Sequence, residues 1–559
     1  MAASPLLNRL LGLVLDPFHV FGFLLLLALH GLFLAAALHF FPGSVFLLVC
    51  LGLFWFYVFG VLLLRFVPTK PFLITRKFFS DRPWIGMAGG IILTVLLVAY
   101  VVYCGWGNRA QLSSFGTLFL ILIFSVIVSD NPGRIRWRPV IWGIVLQYAI
   151  AMLILRWEVG RDSISFVVNK IVAFLSFTLV GTKFAFGFVP DPPAICGLDA
   201  PFSFTSLPII VFVTAISSVA YFYGIVQWIL RRVGVVIQAT MGTTAAESLN
   251  AGASSFMGPT EAAALMEYSL STMTQSEIVA TIAVGYSMIS GSLFAVYISY
   301  GACAPLLLAA NVMSAPATLA ISKIVSPEIH RSRQADMSTF RFPPCTEKSS
   351  LEALSRGAIS AVFVVLAIIA NLVVYLAGLA FVNSAIGYLA GLVGFEGVTF
   401  ELVIGYLFFP VALVIGASDE ADWSKNVNET LRVSQLIGTK TVLNEFIAFQ
   451  NMQGMLLRRE ISGRGQLIAV FALCGYSNPS QIGAQIAQFS AMCPAKKKNF
   501  VAAATKGLLI GALACLMTAC VAGSLIDNSM GCRPNDPSQN CLDLNEVVDY
   551  FKNRTMLAR

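Results

Sequence analysis

Long stretches of the chain carry no charged side chain, and their lengths are the first clue to its architecture. No Asp, Glu, Lys or Arg occurs between Asp16 and Arg65, Asp199 and Arg231, Glu277 and Lys323, Arg356 and Glu396, Arg464 and Lys496, or Lys506 and Asp527. A helix crosses the hydrocarbon core with about 20 apolar residues, so the longest gaps must hold two crossings, or one crossing plus a re-entrant piece. The pattern predicts apolar helices near 19–41, 44–64, 84–104, 113–129, 139–157, 203–230, 278–300, 303–325, 357–382, 400–416, 465–490 and 505–526. Segment 164–187 carries Lys170 and Lys183 among many Phe residues and reads as a helix lying along the interface.

Two regions break this pattern. Residues 238–274 and 430–460 are polar and rich in small residues, and they hold Glu247, Glu261 and Glu267 in the first and Glu445 in the second. Each contains a Gly-Thr pair, Gly242-Thr243 and Gly438-Thr439, and each precedes an apolar helix broken near its middle, at Gly285-Tyr-Ser-Met-Ile-Ser-Gly291 and Gly475-Tyr-Ser-Asn-Pro-Ser480. Polar-interrupted segments in corresponding positions of two halves are what a transporter built from inverted repeats shows. The expected fold is an all-α polytopic membrane protein with about 11 transmembrane helices, two re-entrant helical hairpins and two broken helices.

Composition sharpens this by exclusion. Of 559 residues 57% are hydrophobic and 11% charged, against the ~25% charged usual for soluble domains, which rules out both a soluble globule and a disordered chain. The formal charge of +8 is spread over loops, so it sets topology and is not a nucleic-acid footprint. Arg65, Lys70, Arg76, Lys77 and Arg82 crowd one loop, Arg109 stands alone in the next, and Arg134, Arg136 and Arg138 crowd the third. By the positive-inside bias the crowded loops and the N-terminus are cytoplasmic, as is the mixed segment 326–356. The opening residues lack the small-residue cleavage site of a signal peptide. The 11 cysteines include no C-x-x-C pair, which argues against structural zinc, and most read as small hydrophobes. Cys532 and Cys541 lie in a polar tail and are a candidate disulfide if that tail is extracellular. Asn553-Arg-Thr555 and Asn428-Glu-Thr430 fit the N-glycosylation pattern, and an odd number of crossings places the tail outside.

A carboxylate at membrane depth needs a partner, a proton or a cavity. Glu261 and Glu445 therefore demand an account. One reading makes each a structural pair, for Glu445 with Lys440. The other makes them functional, because broken helices expose backbone groups that are tolerated only where they line a cavity; hairpins and breaks then enclose a polar site at the midplane.

Four motifs carry a resemblance to a known family: Glu247-Ser-Leu-Asn-Ala-Gly-Ala-Ser-Ser-Phe-Met-Gly-Pro-Thr-Glu261, Ser314-Ala-Pro-Ala-Thr-Leu-Ala-Ile-Ser-Lys-Ile-Val-Ser-Pro-Glu328, Gly438-Thr-Lys-Thr-Val-Leu-Asn-Glu-Phe446 and Phe471-Ala-Leu-Cys-Gly-Tyr-Ser-Asn478. In this order, from about 139 to 525, the chain strongly resembles the concentrative nucleoside transporters. The resemblance implies a homotrimer, a site in each protomer between hairpins and unwound helices, an elevator-like movement, a plasma-membrane location and no cofactor beyond a coupling ion, H+ or Na+. It divides the chain into a cytoplasmic N-terminus (1–18), three extra spans of the eukaryotic version (19–105), scaffold (113–232), first transport repeat (233–325), cytoplasmic loop (326–356), scaffold (357–429), second transport repeat with the last span (430–526) and an extracellular tail (527–559).

Residue by residue, the resemblance places the nucleobase against Gly258, Thr260 and Glu261. Pro259 stands where the family has glutamine and cannot supply that amide; it either bends the hairpin or only shortens its hydrogen-bond list. Glu445 and Asn478 match the ribose ligands, a sound pair for a vicinal diol. Tyr476 replaces a phenylalanine and Gln481 a serine. The family's sodium positions fall on Ser254, Met257, Met288 and Ile289. Met288 offers only a thioether to a hard cation, and proton-coupled members carry Ser at the position of Ser254, so the expectation favours proton coupling with Glu261 or Glu445 as carrier. The predicted activity is nucleoside uptake by cation symport; the alternatives are a diverged sodium-coupled or other ribosyl-compound carrier, a nucleoside sensor, and an intramembrane enzyme. The last lacks a zincin His pair and a Gly-x-Ser-x-Gly motif, and His19, His30, His39 and His330 lie outside both polar regions.

Overall fold

The structure, a computed structural model, describes residues 83–526 apart from 194, 196–197, 199, 335–336 and 338–339, together with 30–31, 34–35 and 39. The span expected at 44–64, most of that expected at 19–41, Asn553, Cys532 and Cys541 lie outside the described residues. The compact unit from Ala88 onward is all-α, with no strand among the described residues. Among the described residues, eight helices are long and apolar enough to cross a membrane.

The outer helices are α1 (Pro83–Gly105), α2 (Arg109–Ile127), α3 (Trp137–Ala151), α4 (Glu158–Ser176), α5 (Thr178–Phe186), α6 (Leu207–Phe222) and α7 (Ile225–Met241). Asn108 caps α2 by accepting from the backbone N–H of Ala110 and Gln111. Helices α4 and α5 carry exposed Phe174, Phe177, Phe184 and Phe186, the pattern of a segment lying against lipid. The apolar run 203–230 does not form one helix. It breaks at Gly224, whose left-handed φ of +78° ends α6 in the way glycine allows at low cost.

The first polar region folds into a hairpin of α8 (Ala245–Ser254) and α9 (Pro259–Leu265), followed by the broken pair α10 (Gln275–Ser287) and α11 (Phe294–Ser299), then α12 (Ala304–Val325). Helix α13 (Ser350–Gly391) is 42 residues long and largely exposed along its length; it begins six residues before the end of the segment read as loop. The second half continues with α14 (Phe400–Ile415), a hairpin of α15 (Trp423–Val442) and α16 (Glu445–Leu457), the broken pair α17 (Gly463–Leu473) and α18 (Ser480–Met492), and α19 (Lys497–Leu525).

Helices α10, α12, α17 and α19 form the buried centre. Small residues let them approach, as close packing between membrane helices requires. A Cβ on Gly143 of α3 would stand 2.8 Å from Ala320 and 2.9 Å from the Pro316 carbonyl of α12; one on Gly511 of α19 would stand 2.7 Å from Tyr286 of α10. Buried Arg464 closes one end of this centre, donating to the carbonyls of Gly416 (2.8 Å) and Gly523 (3.2 Å) and to the Ser114 hydroxyl (3.0 Å). Such helix-end carbonyls have no intrahelical partner, and a cation suits them.

Candidate functional site

Both helix breaks lie where the sequence interrupts them, and they cross. Gly475 sits at φ +135°, and a Cβ there would be 2.8 Å from the Tyr286 carbonyl oxygen, the Ser287 carbonyl carbon and Cys515 Sγ. Only a residue without a side chain lets the second break rest on the first. Tyr476 ties them further: its hydroxyl accepts from the Ser290 backbone N–H at 2.9 Å, satisfying a donor that the break leaves orphaned.

Hairpin 1 meets the first break at its tip. Gly258 caps α9 and Pro259 occupies its first position, where a missing N–H removes no helical bond and the fixed φ suits helix entry; the proline starts the helix and does not bend it. The half-buried Glu261 curls its carboxylate back over Gly258, and the Ser290 hydroxyl lies 3.2 Å from where a Gly258 Cβ would be. Thr260 is exposed, and its carbonyl accepts from Gln488 of α18 at 2.8 Å. Buried Asn311 of α12 joins the same tip to the same break, accepting from the Ile289 N–H and donating to the Ser255 carbonyl, both at 2.9 Å.

Hairpin 2 meets the second break. Asn444 caps α16 by accepting from Ile447 N–H. Glu445, 1% exposed, opens that helix and accepts from the Asn478 amide at 3.0 Å; Asn478 in turn accepts from the Ser480 hydroxyl. Lys440 does not pair with Glu445. Its buried ammonium donates to the Ala472 carbonyl at 3.2 Å and to Ser477 Oγ at 2.5 Å, so it stands at the C-terminal end of half-helix α17, where the dipole favours a cation. Gln481 is half-buried on the first turn of α18.

The positions assigned to a coupling ion are less uniform. Ser254 is 2% exposed and its hydroxyl has no hydrogen-bond partner. Met257 packs partly buried against the main core, and Ile289 is fully buried. The Met288 side chain is turned into an apolar cluster with Ile237, Met241, Val284 and Leu319, so its sulfur is core and at most its backbone carbonyl is available. At the far end of hairpin 1, Glu247 uses one carboxylate oxygen on its own Thr244 N–H and the other on buried Lys323. Asn428 is exposed on α15, but Thr430 of the same pattern is buried in that helix.

Sequence reasoning missed Asn311, the destination of Lys440, and Gln485 and Gln488. The first two are single polar residues in otherwise ordinary helices; the glutamines recur with Gln481 at spacings of four and three, a stripe on one helical face.

Residues 306–523 match the family described as Na+ dependent nucleoside transporter C-terminus, residues 115–189 its N-terminus, and residues 203–303 a family described as nucleoside recognition. The chain is 34% identical to Solute carrier family 28 member 3 of Mus musculus over 82% of its own length and 65% of that protein's. It is 33% identical to the protein of the same name from Eptatretus stoutii, over 84% of this chain and 70% of that one. It is 36% identical to Sodium/nucleoside cotransporter 1 of Sus scrofa, over 77% and 66%. The chain thus spans about two thirds of the length of these relatives. Among solved structures it resembles CNTnw in an inward-facing substrate-bound state, with TM-score 0.69, 29% identity, and coverage of 75% of this chain and 98% of that one.

Proposed function

Because the chain belongs to the concentrative, Na+ dependent nucleoside transporter family, we propose that it carries nucleosides across a membrane by symport with a cation. The relatives are transporters, which sets the enzyme reading aside. The observation that carries the proposal is the Glu445–Asn478 pair, two polar groups brought together from a hairpin turn and a helix break that are 33 residues apart in sequence. A carboxylate with one oxygen on an amide retains acceptor capacity for a ribose diol, and charge-assisted bonds of this kind are the strong ones. The base then faces hairpin 1, against Thr260, Glu261 and Tyr476, with Gln481 at the rim. Alternating access moves both hairpins and both broken helices as one unit, in line with the bonds that join them across the repeats.

Sodium is the first candidate for the coupling ion. The matched family is described as Na+ dependent and a relative is named a sodium/nucleoside cotransporter, so the preference for a proton drawn from Ser254 finds no support there. The unpartnered Ser254 hydroxyl, with backbone carbonyls at Met257, Met288 and Ile289, would make an all-oxygen set, which a hard cation prefers. Nucleoside and lipid are the proposed partners, a homotrimer the proposed assembly and the plasma membrane the proposed location. Cys303 is disulfide-bonded at the end of α12 opposite the basic segment 326–349, which supports an extracellular position for that end.

Uptake of labelled uridine, adenosine and inosine by cells lacking their own carriers tests the proposal. Saturable, sodium-stimulated uptake of at least one is expected, and none from surface-expressed protein would overturn it. In Glu445→Gln, loss of a charged acceptor worth about 1.5–3 kcal/mol should weaken apparent affinity by about 10- to 150-fold; unchanged affinity would displace the ribose from this pair.

A further inference from the structure

Gln485 is the buried polar side chain near the site that the reading above leaves without a task. It sits on α18, 4% exposed, and no hydrogen bond joins its amide to another described residue. With no protein partner, its amide keeps donor and acceptor capacity for an occupant. Its position is narrow. A Cβ on Gly285 would stand 3.0 Å from Gln485 Nε2 and 3.3 Å from Pro259 Cβ, which puts the amide beside the proline at the start of α9, between the first break and hairpin 1.

Several neighbouring polar groups already have partners. Gln488 donates to the Thr260 carbonyl, Tyr476 accepts from Ser290 N–H, Asn478 donates to Glu445, and Glu261 is folded over Gly258. Pro259 brings no donor. Gln485 therefore offers a coplanar donor and acceptor at this point. That arrangement complements a ring N–H beside a carbonyl: Oε1 accepts from the ring nitrogen and Nε2 donates to the carbonyl oxygen. Absence of a Cβ on Gly285 leaves the amide room to lie there.

We propose that Gln485 is a specificity-determining residue that reads the hydrogen-bonding edge of the nucleobase, supplying from α18 the amide that hairpin 1 lacks at Pro259. This rests on the transport reading above and adds to it the group that contacts the base edge. The hydrogen bond to Thr260 through Gln488, one turn further along α18, keeps this face of the helix against hairpin 1.

The test compares competition of labelled nucleoside uptake by uridine and 3-methyluridine, and by inosine and 1-methylinosine, in the full-length protein and in Gln485→Met. Methylation removes the ring N–H that Oε1 would accept. The wild type should prefer the unmethylated member of each pair by about tenfold, the worth of one hydrogen bond to a buried site. Gln485→Met should bind both members equally and weakly, while the penalty for 3′-deoxyuridine, set at Glu445 and Asn478, stays at its wild-type size. Gln485→Leu gives the same comparison if the methionine variant does not reach the surface. Discrimination that persists in the variant, or is missing from the wild type, overturns the assignment; a wild type that takes up no nucleoside overturns the transport reading on which it stands.

Discussion

The crossing of the two helix breaks makes a quantitative prediction about Gly475→Ala. The residue holds φ at +135°, a region in which an L side chain costs on the order of 1–3 kcal/mol. The added methyl would also lie 2.8 Å from three atoms, two of them backbone of α10 that cannot turn aside. Overpacking of that kind costs about 1–3 kcal/mol more. The sum, roughly 2–6 kcal/mol, is a large part of the stability of a typical protein. Gly483→Ala is the control: it lies inside α18 with nothing within 4 Å of its Cβ position, and alanine there should gain about 0.5–1 kcal/mol of helix propensity. Thermal denaturation of detergent-solubilised protein, followed by size-exclusion chromatography, should show a clear loss for Gly475→Ala and a neutral or improved Gly483→Ala. Adding Cys515→Ala removes one of the three contacts and should recover a minor part of the loss. A Gly475→Ala protein that melts with the wild type and transports normally would refute the claim that the breaks touch there.

Two further predictions concern the same region. Lys440→Met should strand the Ala472 carbonyl and the Ser477 hydroxyl, lowering thermal stability by about 1–3 kcal/mol; if Lys440 instead served Glu445, Glu445→Gln would relieve the defect, and the structure predicts that it does not. Ser254→Ala should raise the sodium concentration needed for half-maximal uptake by roughly tenfold, and Ser254→Asn, which offers an amide carbonyl to a hard cation, should lower it. Uptake indifferent to sodium but steep in pH in the wild type would return the coupling to a proton.

What could be read from residues alone was whatever disturbs a strong periodic background. The breaks at 285–291 and 475–480 were legible because glycine, serine, asparagine and proline interrupt runs that are otherwise continuously apolar. The kink at Gly224 was not, since a single glycine within an apolar stretch leaves hydropathy unchanged and its left-handed backbone is a three-dimensional fact. Lys440 stands five residues before Glu445, so sequence distance suggested a pair; across the hairpin turn at Leu443 and Asn444 the two side chains instead take different partners, Ala472 and Ser477 for Lys440 and Asn478 for Glu445. Met288 lines up with an ion position by counting, yet its side chain follows the hydrophobic effect into Ile237 and Met241. Glu445 and Asn478 stood out as polar residues in apolar surroundings, but their 3.0 Å contact depends on how two separate elements pack.

Helix α13 has a consequence for the surrounding lipid. Residues 357–391 carry no Asp, Glu, Lys or Arg, which at ~1.5 Å per residue is about 50 Å of uncharged helix. If tilt alone brought such a straight rod within a ~30 Å hydrocarbon layer, it would lean by roughly 53°. Passing from a bilayer core of ~27 Å to one of ~33 Å then asks it to swing by only about 9°, whereas an upright helix cut to one thickness would leave some 6 Å mismatched in the other. The leaning rod thus works as a compliant element, letting a protein inserted into a thin membrane take up residence in a thick one while its buried centre stays unstrained.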